Sequence, residues 1–579
     1  MKRSYWINHF YLNIFLSLIC FCQSAKAEWL SICQNPNPLQ LSALSKTYYK
    51  TSGDQFQLAF GLAKQNNCPS YELDIKADEI KWMEIVPREL VKQFGSKILL
   101  HTHSSDEGIK VTEILPLSKR SVNSKNYPAT IPININILDD VRFKPFGLEE
   151  RAQIKKRSKE TIVHCSQGNK PAGVVADFSG SRLPFSMPLL FSAKYRADEN
   201  IQFALSDQVR FEKGDPILLG KTMSSMALRQ LKVNIPTELN RKSALYFSIV
   251  CPNTNASLQL EKLILLPTKR LSKSHRRGMW FWLPELWKDK SLAVFQRLEK
   301  YQAGHVYISI PVNLTTGEVK HREQLRDFLK RAAKRNVDVW AVEGDPNAIL
   351  SSEIKRFSKR SQIIAKFNQG LEADVRMAGI QYDIEPYLIT GYNLDVDAWL
   401  EAYINAIAEL RQTTDMPIEI VIPFWWHKVN FRDKPLLTHL SPLIDSVNVM
   451  AYRSSATLLE RFAQPLLNWG VDNKKPINIA LETGPLVSEQ QWRFKKAKAG
   501  NLWHVQIENY DVLIYLNSHL NNPDVGVYKQ YATRDLDVNE ITFKDNLDKM
   551  HQLLPKLENS WRSWSSYSGT SLHGLDQNL

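Results

Sequence analysis

The sequence predicts a multidomain protein with a C-terminal α/β TIM-type (β/α)8 barrel, preceded by a β-sandwich and a small mixed N-terminal domain. Three observations predict this class. The chain has 579 residues, too many for one ordinary domain of about 150 residues. After residue 278, short apolar strands alternate with helical stretches, as in parallel βαβ units. Between residues 151 and 267, strand-like segments recur with turn residues between them, as in an antiparallel sandwich.

The first 27 residues have the three parts of a secretory signal peptide. Lys2 and Arg3 precede an apolar core, and Ala25 and Ala27 form a small-x-small cleavage site. The apolar run, residues 10–22, is too short for an integral membrane helix. We therefore expect residues 1–27 to be removed from a secreted or periplasmic protein that has no integral membrane segment after cleavage. An uncleaved N-terminal anchor is the alternative.

Composition and charge narrow the class of partner. With 43% hydrophobic and 23% charged residues, the chain resembles a folded soluble protein, which excludes bulk disorder. Its net charge falls from +14 to +11 when Lys2, Arg3 and Lys26 leave with the signal, and a basic exported protein favours anionic glycans or lipid head groups. Nucleic acid is not an expected partner outside the cytoplasm. No cofactor is expected either, because no glycine-rich phosphate loop follows a predicted strand.

Four cysteines remain after signal cleavage, and an oxidising compartment favours their pairing. Sequence order suggests one disulfide between Cys33 and Cys68 and another between Cys165 and Cys251, although four cysteines permit three pairings. Zinc binding is the weaker alternative, because no two of them have a close C-x-x-C spacing. We therefore predict no metal site.

The domains follow in order along the chain. Residues 28–150 combine a possible helix over residues 39–50 with short alternating runs and carry no motif, which predicts the mixed domain. Residues 151–267 form the predicted sandwich, a fold that often binds glycans in proteins that also have a catalytic domain. Residues 268–277 gather basic side chains among serines, which predicts a solvated linker.

Eight strand candidates and intervening helical segments occupy residues 278–555, which favours a closed barrel over an open sheet. Residues 556–579 are predicted to be a C-terminal tail. The predicted strands cover residues 279–283, 306–312, 337–342, 379–385, 418–424, 446–452, 477–482 and 525–531.

Polar side chains close several of these strands, where barrels of this kind place their active sites. On the fourth strand, alternation puts Gln381, Asp383 and Glu385 on one face. Two carboxylates in one barrel mouth repel each other, which favours the protonated form of one and suits a general acid. The alternative is a buried pair neutralised by arginines. Glu482 closes the seventh strand in the same way.

Further candidates for substrate contact lie on other strands. The sixth strand directs Asn448 and Tyr452 inward, with core packing as the alternative for Tyr452. Twelve of the 15 tryptophans lie at or after Trp280, and flat rings stack on the apolar faces of sugars. The strand-associated tryptophans are Trp280, Trp282, Trp340, Trp425 and Trp426, of which Trp282, Trp425 and Trp426 (beside His427) are predicted to bind substrate. Glu343 and Gln530 are weaker pocket candidates.

Asp383-Ile384-Glu385 and Met450-Ala451-Tyr452 resemble the D-x-x-D-x-D-x-E and M-x-Y motifs of family 18 glycoside hydrolases, the chitinase-like barrels. The resemblance implies that Glu385 is the general acid, that Asp383 orients the acetamido group of the substrate and that Tyr452 supports it. It covers the barrel alone, and Ala378 and Gln381 stand where the motif has its first two aspartates.

A second pair of motifs resembles the retaining glycosidases of clan A. Glu385-Pro386 and Glu482-Thr483-Gly484 are similar to the segments that carry their acid/base and nucleophile glutamates. Both resemblances imply that Glu385 is the acid, but the nucleophile is either Glu482 or the acetamido oxygen of the substrate. The predicted function is cleavage of glycosidic bonds in a polysaccharide or oligosaccharide. The substrate is either a neutral or an anionic glycan. The alternative is a non-catalytic glycan-binding protein built on an inactive barrel.

Overall fold

The computed structural model places the chain in two compact units, Met1–Arg120 with Gln490–Asp535, and Ser121–Glu489 with Leu536–Leu579. The signal peptide, Cys33 and Cys68 lie outside the described residues, so the predictions about them stay predictions. The described residues are 47–52, 55–60, 70–73, 79–86, 91–92, 94–105, 108–116, 131–139, 141–157, 160–177, 183–184, 187–240, 243, 245–269, 271–272, 275–389, 392, 396–507 and 510–576.

The first unit contains a three-stranded and a seven-stranded sheet, and the larger sheet takes strands from two segments that are far apart in the sequence. The smaller sheet consists of Thr47–Ser52, Gln55–Phe60 and Ser70–Leu73. The helix predicted over residues 39–50 is therefore wrong from Thr47 onward, because a segment rich in threonine and tyrosine favours a strand. The larger sheet consists of Ile80–Val86, Lys97–Ser105, Gly108–Pro116, Glu489–Lys496, Ala499–Ile507, Tyr510–Asn521 and Gly526–Leu536.

Two five-stranded antiparallel sheets begin the second unit. One consists of Arg142–Phe146, Gly173–Asp177, Gln202–Asp207, Ile217–Lys221 and Leu245–Val250. The other consists of Ala152–Arg157, Glu160–Cys165, Leu189–Ala197, Ser225–Asn234 and Ala256–Pro267. The ring of Phe191 in the second sheet lies 5.8 Å from that of Phe203 and 5.1 Å from that of Phe247 in the first, so the sheets share an aromatic core.

A disulfide joins these two sheets. Cys165 ends a strand of one sheet, and Cys251 directly follows a strand of the other. Their Cα atoms are 5.6 Å apart, within the usual range for a disulfide. The predicted Cys165–Cys251 pairing is confirmed.

Eight parallel strands form a closed barrel in the second unit. They are labelled in chain order: β1 (Arg276–Phe281), β2 (Ala303–Ser309), β3 (Asp338–Glu343), β4 (Gly379–Tyr382), β5 (Ile418–Pro423), β6 (Ser446–Met450), β7 (Ile477–Glu482) and β8 (Tyr567–His573). The barrel predicted from the sequence is thus present, with each strand hydrogen-bonded to the next and β8 paired to β1.

Helices follow most of the strands. In chain order they are α1 (Pro284–Asp289), α2 (Ser291–Lys300), α3 (Arg322–Ala333), α4 (Ser351–Gln369), α5 (Val396–Gln412), α6 (Leu436–Leu440), α7 (Ala456–Asn473) and α8 (Leu547–Trp561). Within the described ranges, none of the helices is both long and apolar enough to cross a membrane.

The last predicted strand is wrong. Residues 525–531 belong to the seven-stranded sheet, and Tyr567–His573 closes the barrel between β7 and β1. The predicted tail, residues 556–579, therefore contains the end of α8 and all of β8. The closing strand reads YSGTSLH, and its small polar residues hide the apolar pattern that marks a buried strand, whereas GVYKQY has a strand-like alternation.

The predicted basic linker also differs from the structure. Arg276 and Arg277 start β1 and do not lie in a solvated connection. The guanidinium of Arg276 bonds to Asp338 Oδ2 at 2.7 Å, and that of Arg277 makes two bonds to the Glu558 carboxylate, at 2.7 and 2.8 Å. A charge run typical of a linker is therefore partly neutralised by acids that are distant in sequence.

Candidate active site

Aromatic and apolar side chains line the interior of the barrel. The rings of Trp280 and Tyr307 stack with centroids 4.9 Å apart. The buried members of this cluster are Trp280, Tyr307, Val342, Val421, Met450 and Ala480, and the half-buried members are Trp282, Trp340, Tyr387 and Tyr452. The half-buried rings are the ones able to contact a ligand.

A buried polar network lies among these inward side chains, centred on Glu419 of β5. The Glu419 carboxylate accepts bonds from Gln381 Nε2 at 2.5 Å, Asn478 Nδ2 at 2.7 Å and Ser446 Oγ at 3.1 Å. Burial raises its pKa, and these hydrogen bonds oppose that rise. The amide N–H groups of Gln381, Asn478 and Asn448 thus all donate to one buried carboxylate inside the barrel.

Two predicted substrate-binding residues belong to this network. Gln381 accepts a bond from Trp280 Nε1 at 2.6 Å, and Asn448 Nδ2 donates to Ser571 Oγ at 2.9 Å. Both side chains are fully buried. The structure therefore places Gln381 and Asn448 beneath the mouth, where they support other residues.

Glu482 ends β7 with a carboxylate that is held on both oxygens. Its Oε1 accepts from the backbone N–H groups of Thr483 at 3.1 Å and Gly484 at 2.7 Å. Its Oε2 lies 2.9 Å from Nδ1 of His573, and the side chain is 1% exposed. Gly574, with φ of +84°, packs so closely that a Cβ there would lie 2.9 Å from Glu482 Oε1.

His573, the last residue of β8, is held in one tautomer by its two partners. Trp282 Nε1 donates to His573 Nε2 at 3.2 Å, so the ring proton is on Nδ1 and points to Glu482. The ring also stacks near Tyr452, with centroids 6.1 Å apart. The sequence did not indicate His573, because the strand that closes the barrel was predicted at residues 525–531 and is in fact Tyr567–His573.

Glu385 lies just after β4, at the start of the short 3-10 helix Pro386–Leu388, and is half-buried. The Tyr387 hydroxyl donates a hydrogen bond to its Oε2. Burial raises the pKa of Tyr387 well above its ordinary value, and the neighbouring Glu385 and Asp383 raise it further. The phenol therefore stays protonated and remains a donor to Glu385 at neutral pH.

Asp383 is fixed through its backbone to the neighbouring strand end. Its N–H donates to the Glu343 carbonyl at 2.8 Å. A Cβ added at Gly344 would lie 2.7 Å from the Asp383 carbonyl oxygen and 3.4 Å from the Trp282 ring, so the chain needs glycine there. The β3 end thus brings Asp383 close to Trp282, which in turn bonds to His573.

The two tryptophans after β5 have different environments. Trp425 is half-buried, and its ring lies 5.4 Å from that of Tyr387, beside Glu385. Trp426 is fully buried and packs edge-on against Tyr403 at 5.0 Å. Trp425 can therefore contact a ligand, whereas Trp426 is a core residue. His427, beside them, bonds the Phe424 carbonyl at 2.7 Å, and burial lowers its pKa to about 4.

Neither of the two weaker candidates, Glu343 and Gln530, is an inward side chain of a barrel strand. The Glu343 carboxylate makes two bonds of 2.7 Å to the Arg360 guanidinium of α4, so it faces a helix and not the interior. Gln530 lies in the other compact unit and accepts bonds from Tyr515 and Asn501. Within the part of the chain that the structure describes, no group of three or more His, Cys, Asp or Glu side chains is placed to hold a metal ion.

Comparisons with known proteins return solved structures only. No family model and no curated protein matches the chain. The CBM22-1–GH10 modules of a Clostridium thermocellum endo-1,4-beta-D-xylanase with xylohexaose match with 8% identity and a TM-score of 0.30, covering 77% of this chain and 91% of that one. A variant of a family 29 carbohydrate-binding module with mannohexaose matches with 9% identity and a TM-score of 0.19, covering 24% and 90%. With TM-scores this low, we base the function on the residues of this chain.

Proposed function

We propose that this chain is an exported glycoside hydrolase whose barrel cleaves the glycosidic bonds of a polysaccharide, with Glu385 as the general acid. One observation carries the proposal. Two carboxylates lie at the same end of a closed parallel barrel: Glu385, just after β4, is half-buried beside a phenol, and Glu482, the last residue of β7, is buried among three donors. A pair of carboxylates in different environments is what glycoside hydrolysis requires.

Glu385 has the features of the proton donor. Its partial exposure lets it approach the leaving-group oxygen, and the Tyr387 hydroxyl donates a hydrogen bond to its Oε2. Half-buried Trp425 lies beside Tyr387 and offers a flat ring on which a sugar can stack. In a retaining mechanism the same carboxylate would later take a proton from the attacking water.

Glu482 has the features of a carboxylate that stays ionised. Two backbone N–H groups and the Nδ1–H of His573 all donate to it, and hydrogen bonds to the charged form favour that form. An ionised carboxylate opposite the acid serves either as the nucleophile or as a counter-charge to the oxocarbenium-like transition state. We assign the nucleophile to Glu482. If the acetamido oxygen of the substrate is the attacking group instead, Asp383 orients that group.

A second candidate function is glycan binding without catalysis. Glu482 is 1% exposed and both of its oxygens are hydrogen-bonded, which suits a structural carboxylate as well as a nucleophile awaiting substrate. On this alternative the aromatic mouth still holds a glycan. In both cases we assign glycan binding to the paired five-stranded sheets as a sandwich module, with the basic charge favouring anionic chains.

Two variants separate these possibilities when turnover is measured on a panel of plant, bacterial and chitin-derived glycans. If Glu482 is the nucleophile, Glu482→Ala abolishes turnover and azide partly restores it by entering the vacated space, whereas Asp383→Ala keeps activity. If the mechanism is substrate-assisted, Asp383→Ala loses nearly all turnover and Glu482→Ala retains measurable turnover. Glu323→Ala, an exposed change on α3, is the control. A wild-type protein that binds but does not hydrolyse any of these glycans would overturn the enzyme proposal in favour of the binding protein.

A further inference from the structure

A cavity of about 550 Å³ lies outside the barrel, between helices α7 and α8 and the end of the sheet strand Ala256–Pro267. This volume is in the range of pockets that hold small ligands. None of its lining residues lies on a barrel strand. Its charged lining residues are Lys269, Glu460 and Lys556, and its polar ones include Thr268, Thr457 and Asn559.

Hydrogen bonds fix the walls of this cavity. The Gln464 side chain of α7 makes two hydrogen bonds to the backbone of Ile133. It accepts from the N–H at 2.7 Å and donates to the carbonyl at 3.0 Å. The Asn134 side chain then donates to Ser560 Oγ on α8, and its backbone has φ of 61°. The loop of residues 131–139 is thus tied to two barrel helices, which makes the cavity a formed feature.

The chemistry of the lining suits a polar ligand that carries negative charge. Hydroxyl and amide groups from Thr268, Thr457 and Asn559 can bond the hydroxyls of a sugar, which both donate and accept. Lys269 and Lys556 add two ammonium groups from different elements. Glu460 is the one carboxylate among the residues that line it, and it is 6% exposed.

We propose that this cavity is a second glycan site, separate from the barrel mouth, that binds a sugar unit bearing a carboxylate, with Lys269 and Lys556 as its cationic contacts. This site goes beyond the proposed function, since it requires neither Glu385 nor Glu482. Its role is to hold an acidic polysaccharide on the outer surface of the barrel. An ammonium group attracts a carboxylate more strongly than it attracts a neutral hydroxyl, so charge gives the site its selectivity.

Glu460 makes such a site sensitive to pH. Burial raises its pKa to about 7, although bonds from Ser560, Gln464 and Trp561 oppose the rise. The charged groups that line the cavity with it are Lys269, which follows the sheet strand Ala256–Pro267, and Lys556 from α8. The loop of residues 131–139 contributes the uncharged Asn134 and Ile135. An ionised Glu460 repels an anionic ligand, so binding should strengthen as the pH falls below about 7.

Calorimetric titration of the Glu385→Gln full chain with a galacturonic acid oligomer tests the site, because that background prevents consumption of the probe. We expect binding of the acidic oligomer, weaker binding of the matched neutral galactose oligomer, and a loss of about tenfold or more in affinity in Lys269→Ala and Lys556→Ala. Lys330→Ala, an exposed lysine on α3 of the barrel, is the matched control and should bind normally. Absent binding, equal affinity for the neutral oligomer, or unchanged affinity in both cavity variants would overturn the proposal.

Two further arms separate the ligand source and the proposed function. Inorganic phosphate should not displace the acidic oligomer at equal concentration, and full displacement would show an anion site with no preference for sugars, which overturns the glycan assignment. Glu460→Gln should bind the acidic oligomer equally at about pH 6 and about pH 8. With Glu460 present, binding should be weaker at the higher pH, because the carboxylate is then ionised. Persistent pH dependence in Glu460→Gln would contradict the role of Glu460. Turnover measured separately in wild type reports on the barrel mouth, so the two proposals fail independently.

Discussion

His573 donates its Nδ1–H to Glu482 Oε2 across 2.9 Å, joining the last residues of the neighbouring strands β8 and β7. The bond can form because Trp282 donates to the opposite nitrogen of the ring at 3.2 Å. A histidine that accepts at Nε2 must donate at Nδ1 when it is neutral. Trp282 therefore helps orient Glu482 through His573.

His573 should position Glu482 and sustain its charge. His573→Leu removes the donor, so the acidic limb of the kcat/KM profile should move to higher pH and kcat/KM should fall by about tenfold to a hundredfold, the usual cost of losing such a partner. His573→Asn can still place an N–H near Glu482 and should lose less. A pH-rate profile of the three proteins checks this. An acidic limb that stays in place in His573→Leu would show that the histidine only packs.

The Glu343–Arg360 pair should matter for stability and not for chemistry. Burial raises the pKa of Glu343, and the Arg360 guanidinium opposes this. Glu343→Gln leaves a largely buried guanidinium without its counter-charge, which should cost about 3 to 5 kcal/mol of unfolding free energy. The Glu343→Met/Arg360→Met double variant should recover most of it. Turnover per folded molecule should match wild type, and a fall of tenfold or more in kcat would place Glu343 in the mouth after all.

The Cys165–Cys251 disulfide should stabilise the paired sheets. It spans 86 residues of sequence, and closing a loop of this length typically contributes about 2 to 4 kcal/mol. The Cys165→Ala/Cys251→Ala variant should unfold at a lower temperature in calorimetry. Peptide mapping without reductant checks the connectivity in the exported protein, and either cysteine joined to Cys33 or Cys68 would contradict the structure.

Glu460 should make stability depend on pH. Its pKa is about 7 in the folded chain against 4.5 in its ordinary state, so the folded state binds the proton more tightly and stability falls as the pH rises between these values. The difference amounts to roughly 3 kcal/mol at 1.36 kcal/mol per pKa unit. Glu460→Gln should gain stability over wild type as the pH rises through this range. Thermal unfolding of both proteins at several pH values checks this prediction. A difference in unfolding free energy between them that does not change with pH would contradict it.

The sequence predicts the barrel because seven of its strands are short apolar runs between amphipathic helices, which leave a clear period in the residues. It does not predict the closing strand, because β8 (Tyr567–His573) has small polar residues in place of an apolar run. This strand also contains a glycine that the barrel requires, since a Cβ at Gly569 would collide with the Arg276 carbonyl. Local pattern cannot report a close approach between residues so far apart in sequence. The same limit hid the partners of Arg276 and Arg277.

The candidate site is predictable where a polar residue closes a strand. Glu385, Asp383 and Glu482 stand out for that reason, and Tyr452 lies beside His573 in the mouth. Glu419 was missed because it is the second residue of β5, away from the strand end where barrels place chemistry, although an acid inside the apolar run IEIVIP is itself a signal. Trp426 was assigned to substrate by its residue type, but only packing distinguishes it from Trp425.

The hydrolysis rate of Glu385→Gln tests the central claim most directly. The variant keeps the shape of the side chain and removes its proton, so turnover of an accepted glycan should fall by about 10² to 10⁴ while binding of that glycan stays close to wild type. Glu323→Gln, exposed on α3, is the control and should keep full activity. Wild-type turnover in Glu385→Gln would contradict the assignment of Glu385 as the acid of this barrel.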